Sequence, residues 1–386
     1  MSDVQLVMNA GSSSLKFAAY MAKGDKPVLK GKVSGIRRAP EFSATGAQPD
    51  ALGELTADTT HDEMVQRVLG WLTAHPEFGD VTAVGHRVVH GGRNFSKPVL
   101  VTDYVLAQLT ELEPLAPSHQ PHNLAAIRAV RGWKADLPQV ACFDTGFHAS
   151  QPKLNRMFGL PRKLTDQGVI RYGFHGLSYE YIARILPRHL GENADGRVVV
   201  AHLGNGASMC AMTGRRSVAT TMAFSALDGL VMGRRCGSLD PGVLLYLQQG
   251  LGMTIGQIET LLYKESGLLG VSGVSNAMQL LQDSPAPEAS EAIELFCLRA
   301  AQELARMLPC IGGLDALVFT AGIGENSARV RSGICAHLGW LGVSLSSDAN
   351  AAGEEMISRP ESSVQVCVLP TDEESVIVGH MHDIVG

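Results

Sequence analysis

Three glycine-containing turns and two arginines are the residues whose types and settings could do chemistry in this chain. The turns are Gly11-Ser12-Ser13-Ser14, Gly204-Asn205-Gly206-Ala207-Ser208 and Gly322-Ile323-Gly324-Glu325-Asn326. Backbone N–H groups in such turns can approach phosphate oxygens, because glycine puts no side chain in the way. One such turn is only a turn, whereas three at strand ends point towards phosphate handling. Arg87 ends an otherwise apolar run, and Arg235 lies in Met232-Gly233-Arg234-Arg235-Cys236-Gly237. A buried arginine is costly unless it meets an anion. That anion is either an internal carboxylate or an anionic substrate, whose planar oxygens match the guanidinium fork. The common phosphate motifs are missing: Gly31-Lys32 is followed by Val33 where a Walker loop needs Ser or Thr, and neither a protein-kinase set nor G-x-G-x-x-G occurs. His86 and His90 are four apart, but Arg87 stands where a zinc protease carries its Glu, and a strand holds the two rings far apart.

The elements that must position these residues follow from apolar patterning. Val4–Met8 reads as a buried strand ending in the first Gly/Ser turn, with Leu15–Met21 as its hairpin return. Residues 37–60 read as loop with a weak strand, Asp62–Thr73 as a helix, and Val81–Gly85 as a strand. The order recurs later. Val198–His202 is a strand, Met209–Met212 returns after the second turn, and Ala289–Leu308 is a long helix capped at Gly312-Gly313. Ala316–Thr320 is then a strand that breaks at the third turn. This is an architectural repeat, not a sequence period, and chance likeness of two α/β halves is its alternative. A duplicated α/β unit implies two lobes with a cleft lined by the glycine turns. At the end, Val366–Pro370 reads as a strand, and Thr371 as the N-cap of a helix with Glu374 as its capping-box partner.

Bulk properties narrow the classes. The chain has 386 residues, enough for two domains, and is 45% hydrophobic and 18% charged. Its net charge of 32 − 38 = −6 gives no reason to expect nucleic acid or an anionic membrane as partner. Asp3 sits where a signal peptide needs basic residues, and no apolar stretch is long enough to span a bilayer, so the expected compartment is the cytoplasm. Seven cysteines without C-x-x-C spacing suit free thiols in a reducing compartment.

Seven blocks, in order, resemble the acetate kinase (acetokinase) family across nearly the whole chain. They are Val7-Met8-Asn9-Ala10-Gly11-Ser12-Ser13-Ser14-Leu15-Lys16, Gly85-His86-Arg87-Val88-Val89-His90-Gly91-Gly92, Phe143-Asp144-Thr145-Gly146-Phe147-His148, Arg171-Tyr172-Gly173-Phe174-His175-Gly176, His202-Leu203-Gly204-Asn205-Gly206, Phe319-Thr320-Ala321-Gly322-Ile323-Gly324-Glu325-Asn326 and Pro370-Thr371-Asp372-Glu373-Glu374. The resemblance implies an α/β fold of duplicated actin/Hsp70/sugar-kinase-like (RNase H-like) lobes around a central cleft. It implies an N-terminal lobe of residues 1–148 plus 372–386 on the acyl-phosphate side, and a C-terminal lobe of 149–371 for nucleotide binding and dimer contact. It also implies a homodimer that reversibly transfers a phosphoryl group from ATP to acetate, with Mg2+, replaceable by Mn2+, as cofactor. By the same resemblance, Asn9 and Glu373 would hold the metal, and Arg87, Val89 and Arg235 would bind the small carboxylate and the phosphoryl group. Asp144, His175 and Arg235 would be catalytic. Lys16, Ser12, Ser14, the run His202, Leu203, Gly204, Asn205, Gly206 and the run Gly322, Ile323, Gly324, Glu325, Asn326 would hold the nucleotide. Since a carboxylate nucleophile is already ionised, catalysis would rest on positioning and charge neutralisation, with Asp144 an orienter more than a base.

Three blocks depart from the family pattern. Ser118 replaces Leu in Ala116-Pro117-Ser118-His119-Gln120-Pro121, and Ala226 replaces Pro in Ser225-Ala226-Leu227-Asp228-Gly229. With Val89 these positions form the family's acyl pocket, here roomier and more polar. Ser275-Asn276-Ala277-Met278-Gln279 lacks an Asp and an Arg of the nucleotide block, so those roles are not carried over. Alternative readings are therefore a propionate or butyrate kinase, or a weakly active or regulatory homologue. Cys236 beside Arg235 admits a redox reading, or that of a silent small residue. The pocket changes set one expectation: kcat/KM for propionate within about 10–200-fold of that for acetate, because one methylene is worth about 1–3 kcal/mol. A preference for acetate of several orders of magnitude beyond that, in parallel assays, refutes it.

Overall fold

The structure is a computed structural model that describes residues 2–11, 14–22, 24–45, 48, 51–75 and 77–386. The chain divides into two compact units, Met1–Phe147 with Asp372–Gly386, and His148–Thr371.

The first unit is built on a seven-stranded sheet. Its strands are β1 (Ser2–Ala10), β2 (Ser14–Met21), β3 (Pro27–Ser34), β4 (Glu41–Ala44), β5 (Phe78–Val88), β6 (Val99–Leu100) and β7 (Gln139–Phe143), in the order β4-β3-β2-β1-β5-β7-β6. β1, β2, β3 and β4 form an antiparallel meander, while β5 runs parallel to β1 and β7 parallel to β5. Helix His61–Thr73 starts at a capping box between Thr60 and Glu63 and buries Met64, Val65, Val68, Leu69 and Leu72. That face joins one apolar core with Leu6, Phe17, Val84, Ala126 and Val130, each large side chain worth about 1.5–3 kcal/mol on burial. The final helix, Glu373–Val385, packs on β5 at Gly85. A Cβ there would lie 2.4 Å from Met381 Sδ and 2.5 Å from Ile377 Cγ2, so only glycine admits the helix this close.

The second unit repeats the plan. Its strands β8 (Val198–Leu203), β9 (Ala207–Thr213), β10 (Arg216–Thr220), β11 (Ala316–Thr320) and β12 (Gln365–Val368) take the order β10-β9-β8-β11-β12. An antiparallel meander is again followed by two strands parallel to its first. The order β3-β2-β1-β5-β7 in the first unit thus matches β10-β9-β8-β11-β12 in the second, and the expected duplication of an α/β unit is borne out. Helix Pro287–Ile311 buries Ala292, Ile293, Phe296, Ala300 and Leu304, and ends at Gly312 in a left-handed conformation. All seven cysteines are free. No helix among the described residues is long and apolar enough to cross a membrane.

Three local readings are corrected. The first concerns Val81–Gly85, which is the middle of a strand that continues through His86 and Arg87 to Val88. The second concerns Gly322–Asn326, which is not an open turn but part of a short helix, Ala321–Asn326. Ala321 enters it at φ +65°, and its N–H is capped by the Glu325 carboxylate at 2.7 Å. Finally, the last helix is capped by Asp372 and not Thr371. The Asp372 carboxylate accepts from the Ser375 N–H, and the Thr371 N–H instead meets Glu325, so Glu374 is not a capping-box partner.

Three histidines are fully buried: His86, bonded through Nε2 to Gln139 Oε1 at 2.8 Å, His90, and His148, bonded to Ser217 and the Phe174 carbonyl. Burial pushes each down to about 4. Their ordinary value is about 6.5, so between about pH 6.5 and 4 the unfolded chain binds protons that the native state refuses. Stability is therefore complete above that window and is lost as pH falls through it, by about 2 kcal/mol per histidine at pH 5. The midpoint of urea unfolding should fall steadily from pH 7 to pH 5. A flat profile over that range contradicts the assignment.

Candidate active site

In the first unit, three adjacent strand ends converge on one guanidinium. Arg87 sits one residue before the end of β5, opposite Cys142 of β7. Asp144 directly follows β7, and its N–H donates to the Val88 carbonyl at 3.1 Å, which fixes the acid beside the arginine. Arg87 Nε donates to Asp144 Oδ1 at 3.0 Å and Nη2 to Oδ2 at 2.5 Å, a bidentate pair with the carboxylate fully buried. Nη1 donates to Asn9 Oδ1, near the end of β1, at 3.2 Å. Glu373, at the start of the last helix, brings Oε2 to 3.9 Å from Nε. Burial pulls the guanidinium towards the neutral form. The charges of Asp144 and Glu373 more than offset that pull, so Arg87 stays firmly protonated. Three of its five N–H donors are engaged by the described residues.

The other expected residues of this unit are placed around that cluster. Val89 is buried, and its N–H donates to Asn123 Oδ1 at 2.9 Å. Lys16 lies opposite Asn9 in the β1–β2 hairpin with its side chain exposed. The Ser14 carbonyl closes the first turn by accepting from Gly11 N–H at 2.7 Å, and Ser12 lies outside the described residues. Ser118 is half-buried in the turns before helix Gln120–Trp133.

The second unit assembles His175, His202, Gly206 and Arg235. His175 precedes helix Gly176–Leu190 in a left-handed conformation, φ +58°, a strained setting for a residue with a Cβ. Its ring stacks on His202 with centroids 4.2 Å apart. Nδ1 of His175 bonds Ser208 Oγ at 2.8 Å, and the Tyr179 hydroxyl meets the same Oγ at 2.5 Å. Ser178 Oγ holds His202 Nδ1 at 2.8 Å. A Cβ on Gly206 would lie 2.6 Å from Arg235 Nη2 and 3.4 Å from His175 Nε2, so the missing side chain is what lets arginine and imidazole close on this turn. Arg235 Nη1 donates to the Ala226 carbonyl at 2.7 Å. Asp228, on the same loop, is held by Arg171 at 3.2 Å and by Ser238 Oγ at 2.8 Å. Burial raises the Cys236 thiol, and Asp228 raises it further, which speaks against the redox reading and for that of a silent small residue.

The glycine turns of this unit are braced from behind. Gly204 N–H donates to the Gly206 carbonyl at 3.1 Å, with Leu203 buried beneath. Asn205 Oδ1 accepts from Asn276 Nδ2 at 3.0 Å. Ala277 is anchored by its N–H to Ser275 Oγ, while Gln279 is exposed. In Ala321–Asn326, Gly322 is exposed and Ile323 half-buried, and Asn326 Nδ2 donates to the Gly322 carbonyl. Buried Arg331 donates to the Gly324 and Glu325 carbonyls at 2.9 and 2.8 Å. Arg331, Tyr179 and Asn123 were not singled out from sequence, and Ser208 and Arg171 stood in quoted motifs without a role. Each acts through a tertiary hydrogen bond that leaves no local pattern.

The sequence profile of the acetokinase family matches residues 4–379. The chain belongs to the acetokinase family. An acetate kinase of Rhodopseudomonas palustris (strain ATCC BAA-98 / CGA009) is 53% identical over 391 residues, covering 99% of this chain and 98% of that one. Among solved structures, Porphyromonas gingivalis acetate kinase superposes with a TM-score of 0.88 at 34% identity, covering 100% of both chains. A propionate kinase from Francisella tularensis subsp. tularensis SCHU S4 gives 0.92 at 33%, again covering 100% of both. As an acetokinase-family member the protein is an ATP-using phosphotransferase with a carboxyl group as acceptor, and the expected two-lobed fold is the family's.

Gly206→Ala tests the close approach within the second unit. The added methyl displaces Arg235, and with Arg235 in the catalytic role expected from the sequence a displacement near 1 Å costs about 100-fold in rate. The expected outcome is a kcat drop of about that size with little change in Tm. Unchanged kcat in the folded variant refutes the arrangement.

Proposed function

We propose that the chain is an acetate kinase, catalysing reversible transfer of the ATP γ-phosphoryl group to acetate to give acetyl phosphate and ADP. The observation that carries this reading is the clamping of Arg87: Asp144 and Asn9 hold it by three donors, and among the described residues two N–H groups remain for an oxyanion. Acetate is ionised at neutral pH and needs no base. Asp144, buried and doubly bonded to Arg87, serves as its orienter. Val89 bounds the acyl pocket, and Ser118 of the same unit sets its size.

The transition state spreads charge over the transferring oxygens, so cations and donors fixed in advance do the stabilising. Arg87 and Arg235 neutralise that charge. With Tyr179 donating to Ser208 and Ser208 to His175 Nδ1, Nε2 carries the proton and can donate to a phosphoryl oxygen. Burial keeps the Tyr179 phenol protonated, which favours that direction. His202 orients His175 by stacking. Lys16, Ser12, Ser14, the turn His202–Gly206 and residues Gly322–Asn326 hold the nucleotide. In the last of these the Glu325 carboxylate serves the backbone of Ala321 and Thr371.

Asn9 and Glu373 suit Mg2+. Both offer hard oxygen, both face the same guanidinium, and Mg2+ takes one or two such ligands while completing its shell with water and phosphate. When bound, the ion would neutralise charge on the β- and γ-phosphate oxygens. A homodimer and a cytoplasmic location belong to the same reading. Leu239, Val243, Leu245, Tyr246, Leu251 and Ile255 form a stretch of exposed apolar side chains that a second copy would cover.

The test is acyl hydroxamate formation from Mg-ATP, hydroxylamine and acetate. Product is expected from the wild type, with a loss of at least about 100-fold for Arg87→Ala, comparable to removing one oxyanion donor. Folded wild-type protein without product overturns the proposal.

A further inference from the structure

The parallel ladder between β1 and β5 ends at Met8 opposite His86. Asn9, Arg87 and Val89 all lie beyond it, where backbone pairing no longer fixes how far apart the two strand ends stand. Besides the Arg87–Asn9 bond, a fully buried side chain spans that gap. Asn123, in helix Gln120–Trp133 and 3% exposed, donates from Nδ2 to the Ala10 carbonyl at 2.6 Å and accepts at Oδ1 from the Val89 N–H at 2.9 Å. Ala10 follows Asn9, and Val89 is two residues beyond Arg87.

We propose that Asn123 is a positioning residue for phosphoryl transfer, setting through one amide the spacing between the strand end that bears Asn9 and the strand end that bears Arg87 and Val89. The inference rests on the acetate kinase reading and deepens it. A primary amide is the neutral side chain that presents a donor and an acceptor at fixed separation on one rigid plane. Asparagine is a poor residue for a helix interior, and a buried amide is costly unless both its ends are bonded. Both ends are bonded here, to main-chain groups that have no ladder partner between these strands. A second buried donor supports the same turn: His61 Nε2 lies 2.8 Å from the Gly11 carbonyl. The neighbouring Gln120 brackets the residue after Val89 in the same way, accepting from His90 N–H and donating to its carbonyl. The helix start thus acts as a jig for the end of β5, and Asn123 alone extends that jig to β1.

The variants are Asn123→Leu, which removes both bonds at similar volume, and Asn123→Asp, which keeps the acceptor for Val89 and loses the donor to Ala10. Each is compared with wild type by hydroxamate assay, by Tm, and by the rise in Tm that acetyl phosphate causes without added metal. The expected result for folded Asn123→Leu is a kcat at least tenfold lower, a KM for acetate at least fivefold higher, a KM for ATP within twofold, and loss of most of the acetyl phosphate shift. Asn123→Asp should lose kcat while keeping more of the shift. A merely structural role would lower activity in step with the folded fraction and leave both KM values and the shift alone. That pattern, or wild-type kcat in either folded variant, overturns the proposal. Should Asn123→Leu fail to fold, Asn123→Asp decides by the same criteria. A wild type without turnover overturns the functional reading, and this inference with it, by a separate result.

Discussion

The ion pair between Arg87 and Asp144 is the interaction on which the first unit's chemistry depends. A buried carboxylate is tolerable only beside a cation, and a guanidinium in a largely enclosed setting only beside an anion. Each therefore fixes the other, and their strands fix both. β5 and β7 are neighbours in parallel register, with Arg87 opposite Cys142 and the Asp144 N–H bonded to the Val88 carbonyl. The pair uses the lateral edge of the guanidinium, and Asn9 uses Nη1, so the rest of the fork is aimed by construction.

The second unit holds its arginine differently. Arg235 donates to the carbonyl of Ala226, on a loop without regular structure. That loop is in turn tied down by Arg171 on Asp228 and by Ser238 on Asp228 and on the Gly229 N–H. The residues that brace it are polar side chains from distant parts of the unit. A substitution at Ala226 is felt by Arg235 through the backbone carbonyl it holds.

How much of this was legible in the sequence varied with the range of the interaction. Strands such as Val198–His202 and Ala316–Thr320 could be read within a residue, because continuous apolar runs bounded by glycine are local signals. Local patterning suggested the duplication but left chance likeness open, and the ordered family blocks decided it. The boundaries that failed were those where a distant carboxylate decides the outcome. Glu325 turns Ala321–Asn326 into a helix and takes the Thr371 N–H, leaving Asp372 to cap the last helix. In the candidate site, Arg87 was conspicuous as a charge in an apolar strand, and Asp144 as its partner followed only from the ordered blocks. Asn123 was invisible, since an asparagine in a helical stretch looks the same whether it faces water or two backbone groups.

The last helix carries a consequence for how the first unit closes. Ile377 and Met381 lie against Gly85 in the middle of the first sheet, yet more than 290 residues of chain separate them from it. Residues 148–371 form the other unit from one continuous segment, whereas the first unit is assembled from two segments that this stretch separates in the sequence. Closing so long a loop costs chain entropy before any contact repays it, so the covering of the first sheet is the most non-local step in the folding of this unit.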